Sequence, residues 1–422
     1  MPDEELQSAG RLARDLVLPG CDWVHRRVQR VSYLGPSLMV NRLSVDFTLP
    51  EAGIGAHVPI SVLPKWPPLY DFDFRGADGK PLPLLTSAQN GVIDEALLLA
   101  LVEKISPASL SDPNFAKALT SLTRGPETHL GEAFESFRRG LGGVFDDPDV
   151  ERLLDIAAML TDATFLWYPA AGEPGGRTSC KVEYLIPGLN IESWHRRLLR
   201  SLSWAQPAEY IPLWHIGADA NFHAELEAPP VLTIRSAEPN YYWFTEGGPA
   251  VEVEAATKEA ERAGLRPDQY VDNEGSLAHV YVAGRRPLGA DLVATLAASR
   301  LAISPMFVAT ILIAGLATFF YAWRGQMVEA ADRDAAVAVL ILVPALIGYV
   351  VIRPADHPSL RSRILGVQLL SLASSVIPLC MAILLLRIAN EPSCLQIAWL
   401  WSAAAAWLIA AVLLVSLVRA GR

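Results

Sequence analysis

Four stretches in the last third of the sequence carry no charged residue. They are SPMFVATILIAGLATFFYAW (304–323), AAVAVLILVPALIGYVVI (335–352), ILGVQLLSLASSVIPLCMAILLL (364–386) and CLQIAWLWSAAAAWLIAAVLLVSLV (394–418). A helix needs about 20 apolar residues to cross a hydrocarbon core about 30 Å thick. Lipid offers no partner for backbone polar groups, so such segments must close their hydrogen bonds internally, as helices do. The pattern predicts an all-α bundle of four transmembrane helices over 301–422. Phe319, Phe320, Tyr321 and Trp323, and then Trp399 and Trp401, lie near span ends, where an interfacial aromatic belt is expected.

Charge divides the chain at the same place. From residue 301 onward there are eight Arg, no Lys and five acids, a balance of +3. The total of −10 therefore leaves −13 on residues 1–300. The loop arginines set an expected orientation. Arg285, Arg286, Arg300, Arg353, Arg361, Arg363, Arg419 and Arg422 fall on the side of the N-terminal region, against Arg324, Arg333 and Arg387 on the other. This predicts a multi-pass membrane protein with a cytoplasmic N-terminal region and C-terminus. The acidic start, MPDEELQSAGRLARDLVLPG, lacks an apolar signal-peptide core, in keeping with that expectation. Cys21, Cys180, Cys380 and Cys394 include no CxxC pair, which argues against a zinc ribbon or a disulfide framework.

Residues 1–300 read as one α+β domain, strand-rich at both ends around a helical insert. Alternating residues predict strands at 24–34, 41–50, 180–187, 210–217, 231–236 and 278–284. Asp78-Gly79 marks a turn. The insert begins at SAQNGVIDEALLLALVEKI, with Ser87 as expected cap, and continues through two segments that open Asp-Pro, at Asp112-Pro113 and Asp147-Pro148. IESWHRRLLRSLSW (191–204) predicts a short basic helix. RRPLGADLVATLAASR (285–300) ends in an apolar-rich run expected to be helical, a stiff lead into the first span.

The sequence contains no GxxxxGK[ST], GxSxG or HExxH, and no GxGxxG after a strand, so no enzyme, cofactor or catalytic residue is expected. His215, Asp219 and His223 in HIGADANFH stand four apart, but Gly217 and the preceding strand pattern argue against one helical face. These are read as surface or core residues, with no metal site expected. Asp71 and Asp73 in YDFDF are read as one solvent-facing side of a strand. The candidate ligand-binding residues are polar and aromatic: Trp194, His195, Arg196, Arg197, Arg200 and Trp204; Tyr241, Tyr242 and Trp243; and Arg26, Arg27 and Arg30. Aromatic platforms with arginines bind nucleotides and single-stranded nucleic acid; buried aromatics with solvated arginines are the plainer alternative. The −13 balance argues against broad nonspecific DNA binding, which needs an extended positive field.

The spans contain no acid or base, which disfavours ion-coupled transport. Gln368, Ser371, Ser375 and Pro378 share one face of the third span, with Ser374 nearer its edge. They are candidate pore-lining residues, or else the contacts that hold helices together. Four spans are too few to enclose a wide channel, so a pore implies a symmetric homo-oligomer, such as a tetramer.

A soluble region followed by spans at 304–323, 335–352, 364–386 and 394–418 resembles the channel-forming membrane effector of Hailong-type bacterial antiphage defence. The resemblance covers the whole chain as architecture. It implies a ligand-gated ion channel whose soluble part binds single-stranded oligodeoxyadenylate or another nucleotide signal made by a partner nucleotidyltransferase, with opening leading to growth arrest. A membrane-anchored scaffold or interaction module, and a membrane-disrupting effector or receptor of another nucleotide-signalling system, remain open beside it.

Overall fold

A computed structural model describes the chain except for residues 1–2, 18–22, 36–37, 51–56, 66–68, 126–128, 142–147, 170–172, 188–193, 205–207, 215–220, 230–231, 243–267, 284–288, 328–329, 352–357, 389–391 and 421–422. The N-terminal region is α+β with mixed sheets. Helix α1 (Asp3–Val17) precedes strands β1 (Val24–Gly35), β2 (Leu38–Thr48), β3 (His57–Pro64) and β4 (Tyr70–Gly76). The helical insert follows as α2 (Ser87–Ile105), α3 (Pro113–Arg124), α4 (Leu130–Gly140) and α5 (Pro148–Asp162). Strands β5 (Ala163–Pro169) and β6 (Arg177–Pro187), helix α6 (Trp194–Ser201), and strands β7 (Ala208–Trp214), β8 (Asn221–Glu227), β9 (Leu232–Tyr242), β10 (Asp268–Glu274), β11 (Leu277–Ala283) and β12 (Gly289–Ala298) complete it.

The strands form three sheets. Seven strands run in the order β10-β11-β8-β1-β2-β6-β4, three in the order β7-β12-β9, and β3 pairs with β5. The β1–β8 pairing is parallel and makes the large sheet mixed, since its other ladders are antiparallel. Alternation decides which face each strand buries: Val31 and Tyr33 of β1 point inward while Arg26 and Arg30 are exposed.

Local chemistry fixes the insert. Asp112 caps α3 by accepting from the Asn114 amide at 2.8 Å, and Pro113 occupies the first turn, where no donor is needed. At α2 the cap is Thr86 rather than Ser87. Thr86 and Gln89 form a reciprocal capping box, which satisfies two backbone donors that Ser87 cannot reach. The insert packs on Trp167 of the strand that follows it, in a core around Leu97, Leu101, Phe115, Leu122 and Phe137. The expected turn forms at Gly79, whose φ of 76° suits glycine.

The apolar run before the first long helix is a strand, β12, and not a helix. Its residues alternate, with Leu292, Ala294 and Leu296 buried and Val293 and Thr295 half-buried, and it hydrogen-bonds to neighbours on both edges. A short apolar run fits either period, and pairing with β7 and β9 decides it. Asp71 and Asp73 do not share a regular face either. A register irregularity falls between Tyr70 and Asp73, Asp71 has φ of 47°, and Asp73 pairs with Arg75 at 2.6 Å.

The C-terminal region is helical: α7 (Arg300–Ala322), a single turn at Arg324–Met327, α8 (Ala330–Val351), α9 (Pro358–Ile388) and α10 (Pro392–Arg419). Among the described residues, three helical segments are long and apolar enough to cross a membrane: Arg300–Ala322, Arg363–Arg387 and Ser393–Arg419. Helix α8, which contains the expected second span, has side chains described over 333–345. All four helices contribute to one apolar cluster, which includes Phe320, Leu340, Leu385 and Trp399. Trp399 is fully buried, its ring edge-on to Phe320 at 6.1 Å. Trp399 and Phe320 are thus packing residues, while Phe319, Trp323 and Trp401 are exposed as belt residues are.

A continuous core joins the two regions. Val31, Ile211, Phe222, Leu232 and Leu292 from the sheets pack in one cluster with Ile303, Met306, Leu360, Ile364, Val367 and Leu413 from the long helices.

Candidate functional site

The junction between sheet and helices is built on the three-stranded sheet, and each of its strands holds one long helix. Strand β12 runs into α7 through Ser299, whose hydroxyl accepts from the Ala302 amide at 3.3 Å and caps the helix. Strand β9 holds α10: Arg235 donates to the carbonyl of Ala420, just past the helix end. Strand β7 holds α9 through an ion pair between Glu209 and Arg363.

That ion pair is buried, with both side chains 7% exposed. Arg363 also donates to the Leu296 carbonyl of β12 at 2.8 Å, and Tyr33 of β1 donates to the second Glu209 oxygen at 2.5 Å. Burial first, and then the Glu209 charge, hold the Tyr33 phenol well above its ordinary value, so it remains a donor. Three elements of two sheets therefore converge on one arginine at the root of α9. The sequence places Arg363 among the loop charges that orient the chain. Its position directly before ILGVQLLSL, with Gly366 three residues on, was the available sign of a packed helix root.

Helix α6 lies against α9 at Gly366. A Cβ on Gly366 would come within 2.6 Å of the Ser201 hydroxyl and 3.0 Å of a Leu202 methyl, so a larger residue would force those side chains to shift. The chain then turns at Ser203, which has φ of 58° and donates to the Arg363 carbonyl at 3.4 Å. Trp204 follows. Its indole donates to Ser416 of α10 at 2.9 Å, and the Arg419 guanidinium sits over its ring at 5.5 Å.

The predicted binding residues divide into groups. His195, Arg196 and Arg197 are exposed on α6 and Arg200 is half-buried, beside exposed Leu198 (53%) and Leu199 (39%). The side chain of Trp194 lies outside the described residues, as do those of Tyr241 and Tyr242, whose backbone belongs to β9, and the whole of Trp243. On β1, Arg26 and Arg30 face outward while Arg27 is buried. Arg30 is engaged by Glu227 at 2.9 Å and lies 3.9 Å from Glu225.

The polar face of the third expected span also has partners. Ser371 and Ser374 are fully buried against α7, where Thr310 donates to the Met306 carbonyl at 2.9 Å and approaches the two serine hydroxyls at 3.3 and 3.4 Å. Ser375 donates to the Leu372 carbonyl at 2.6 Å; Ser375 and Pro378 are buried and Gln368 is half-buried. Ser374 is thus at the centre of the contact rather than near its edge.

Of the histidine set expected to be structural, His215 and Asp219 lie outside the described residues. His223 is on strand β8 and groups with Glu225 and His279.

No protein-family model matches this chain, and no curated protein matches it.

Proposed function

We propose that this protein is a ligand-gated membrane channel of antiphage defence, with four spans, an N-terminal region and C-terminus in the cytoplasm, and a pore formed by a homo-oligomer such as a tetramer. The observation that carries the reading is the buried Arg363–Glu209 pair, through which the root of a membrane-length helix is held by the sheet region. The uncharged part of helix α8, residues 335–351, has 17 residues, which at 1.5 Å each reach about 26 Å, at the short end of what crosses a bilayer, and would supply the expected second span.

The signal, a single-stranded oligodeoxyadenylate or another nucleotide made by a partner nucleotidyltransferase, would dock on the basic face of α6, at exposed His195, Arg196 and Arg197 and half-buried Arg200. Phosphate there would bear directly on α9, because α6 packs on Gly366 and its following turn bonds Arg363. Trp204 and Arg419 extend the same path to α10.

Ion flux from liposomes carrying the purified full chain tests this. Oligodeoxyadenylate is expected to change the flux, and the Arg196→Glu/Arg197→Glu variant to remove that response while leaving basal flux in place. Liposomes that pass no ions with or without nucleotide would sink the channel reading. The second reading, a membrane-anchored interaction module, is favoured by one observation: Ser371 and Ser374 are occupied as contacts between α7 and α9.

A further inference from the structure

The outer face of the seven-stranded sheet carries a group of nitrogen and oxygen ligands that the junction does not use. His223 and Glu225 stand two apart on β8 and so share a face. In the antiparallel ladder, His279 of β11 is directly opposite Glu225, and Tyr281 is opposite His223. Cross-strand pairing therefore brings two imidazoles and a carboxylate together.

The distances are those of a metal site before closure. His223 Nε2 lies 3.2 Å from His279 Nδ1, and Glu225 Oε1 lies 3.7 Å from the first nitrogen and 4.0 Å from the second. Around a tetrahedral zinc ion with bonds near 2.0–2.1 Å, ligand atoms stand about 3.3 Å apart. Shifts of a few tenths of an ångström would complete the set. Two imidazole nitrogens at 3.2 Å cannot both present bare lone pairs to each other; a proton or a cation must lie between them.

The surroundings orient the ligand atoms. Tyr281 stacks on the His223 ring, with centroids 4.2 Å apart and planes 15° apart, and fixes its orientation. Arg30 approaches the other Glu225 oxygen, Oε2, at 3.9 Å, leaving Oε1 toward the histidines. The three side chains are 13–23% exposed, so an ion could enter while most bulk water is excluded.

We propose that His223, Glu225 and His279 bind a divalent transition-metal ion of the zinc class. Two nitrogens and one carboxylate oxygen match zinc's ligand preferences. Three protein ligands leave a fourth position open to water or an anionic oxygen.

The full chain, purified in detergent without a histidine tag, would be stripped with EDTA and then titrated with Zn²⁺ against a fluorescent chelator. Co²⁺ would be added separately to read ligand geometry by visible absorption. The expected result is one metal ion per chain and the strong d–d bands of a tetrahedral site. His279→Gln and Glu225→Gln, each checked by gel filtration for intact assembly, should weaken binding at least about tenfold, the loss typical even of outer-sphere changes. Tyr281→Phe, which keeps the stacked ring, should retain the ion. If the stripped wild type takes up no more Zn²⁺ or Co²⁺ than His279→Gln, the assignment is wrong, and the two histidines share a proton instead. Metal content is read without ion flux, so this result and the channel result stand or fall separately.

Discussion

Arg363 and Glu209 form an ion pair with each side chain 7% exposed, and the pair joins the root of a membrane-length helix to a β-strand. Two buried charges cost several kcal/mol each to desolvate, which only close pairing and further hydrogen bonds offset. Those further bonds come from Tyr33 and the Leu296 carbonyl. Glu209→Gln leaves a buried guanidinium without its counter-ion and is expected to cost about 3–5 kcal/mol. The thermal midpoint in detergent should fall clearly. The double change Arg363→Met/Glu209→Leu, which removes both charges, should cost less than either single change. Additive losses in the double variant would show that the two residues do not act as a pair.

Gly366 sets how closely α6 approaches α9. Replacing it with valine puts carbon where Ser201 and Leu202 now lie and should lift the basic helix from its seat. Limited trypsin digestion at Arg196, Arg197 and Arg200 measures this. If the change costs about 1.4 kcal/mol of docking, cleavage should speed up about tenfold. Unchanged cleavage with an intact fold would mean that α6 is held by other contacts, with Trp204 the first to test.

Asp94 is fully buried in the insert, accepting from Thr164 at 2.9 Å and Trp167 at 3.1 Å. Burial dominates, and raises its carboxyl to about 7. In the unfolded chain the same group titrates near 3.9. The folded state therefore binds the extra proton between these values, and the stability this gives is lost as pH rises from about 4 through about 7. The loss amounts to at most ~4 kcal/mol. The thermal midpoint of Asp94→Asn, compared with wild type from pH 5 to pH 8, isolates it: the wild type should lose ground to the variant as pH rises. A constant difference between the two would contradict the assignment.

Much of the fold can be read from residue order because its signals are local. Asp112-Pro113 announces a helix start, Asp78-Gly79 a turn, and alternation the strands β1, β2, β6 and β11. What stayed hidden depends on distant pairing. The apolar run of β12 becomes a strand only between β7 and β9. Arg363 differs from Arg361 in sequence only by standing directly before ILGVQLLSL, and its partner Glu209, 154 residues earlier, is brought to it by the fold. The serines of the third expected span gave two readings, and their position against Thr310 depends on how α7 packs on α9. His223, Glu225 and His279 could have been noticed as alternating positions in NFHAELE and AHVYV. Only the β8–β11 register unites them, because helical spacing directs attention to His215 and Asp219 instead.

The three-stranded sheet ties down α7, α9 and α10 at one end only: through Ser299, through Arg363 and through Ala420. Adjacent strands of a hydrogen-bonded sheet stand about 4.8 Å apart, which keeps the three attachment points close together, although packed helix axes themselves lie roughly 8–10 Å apart. The three helices thus stand like the legs of a tripod clamped at its apex. Small tilts at the clamp become lateral displacements that grow with distance along each leg, and at the far ends they work against the apolar cluster of Phe320, Leu340, Leu385 and Trp399.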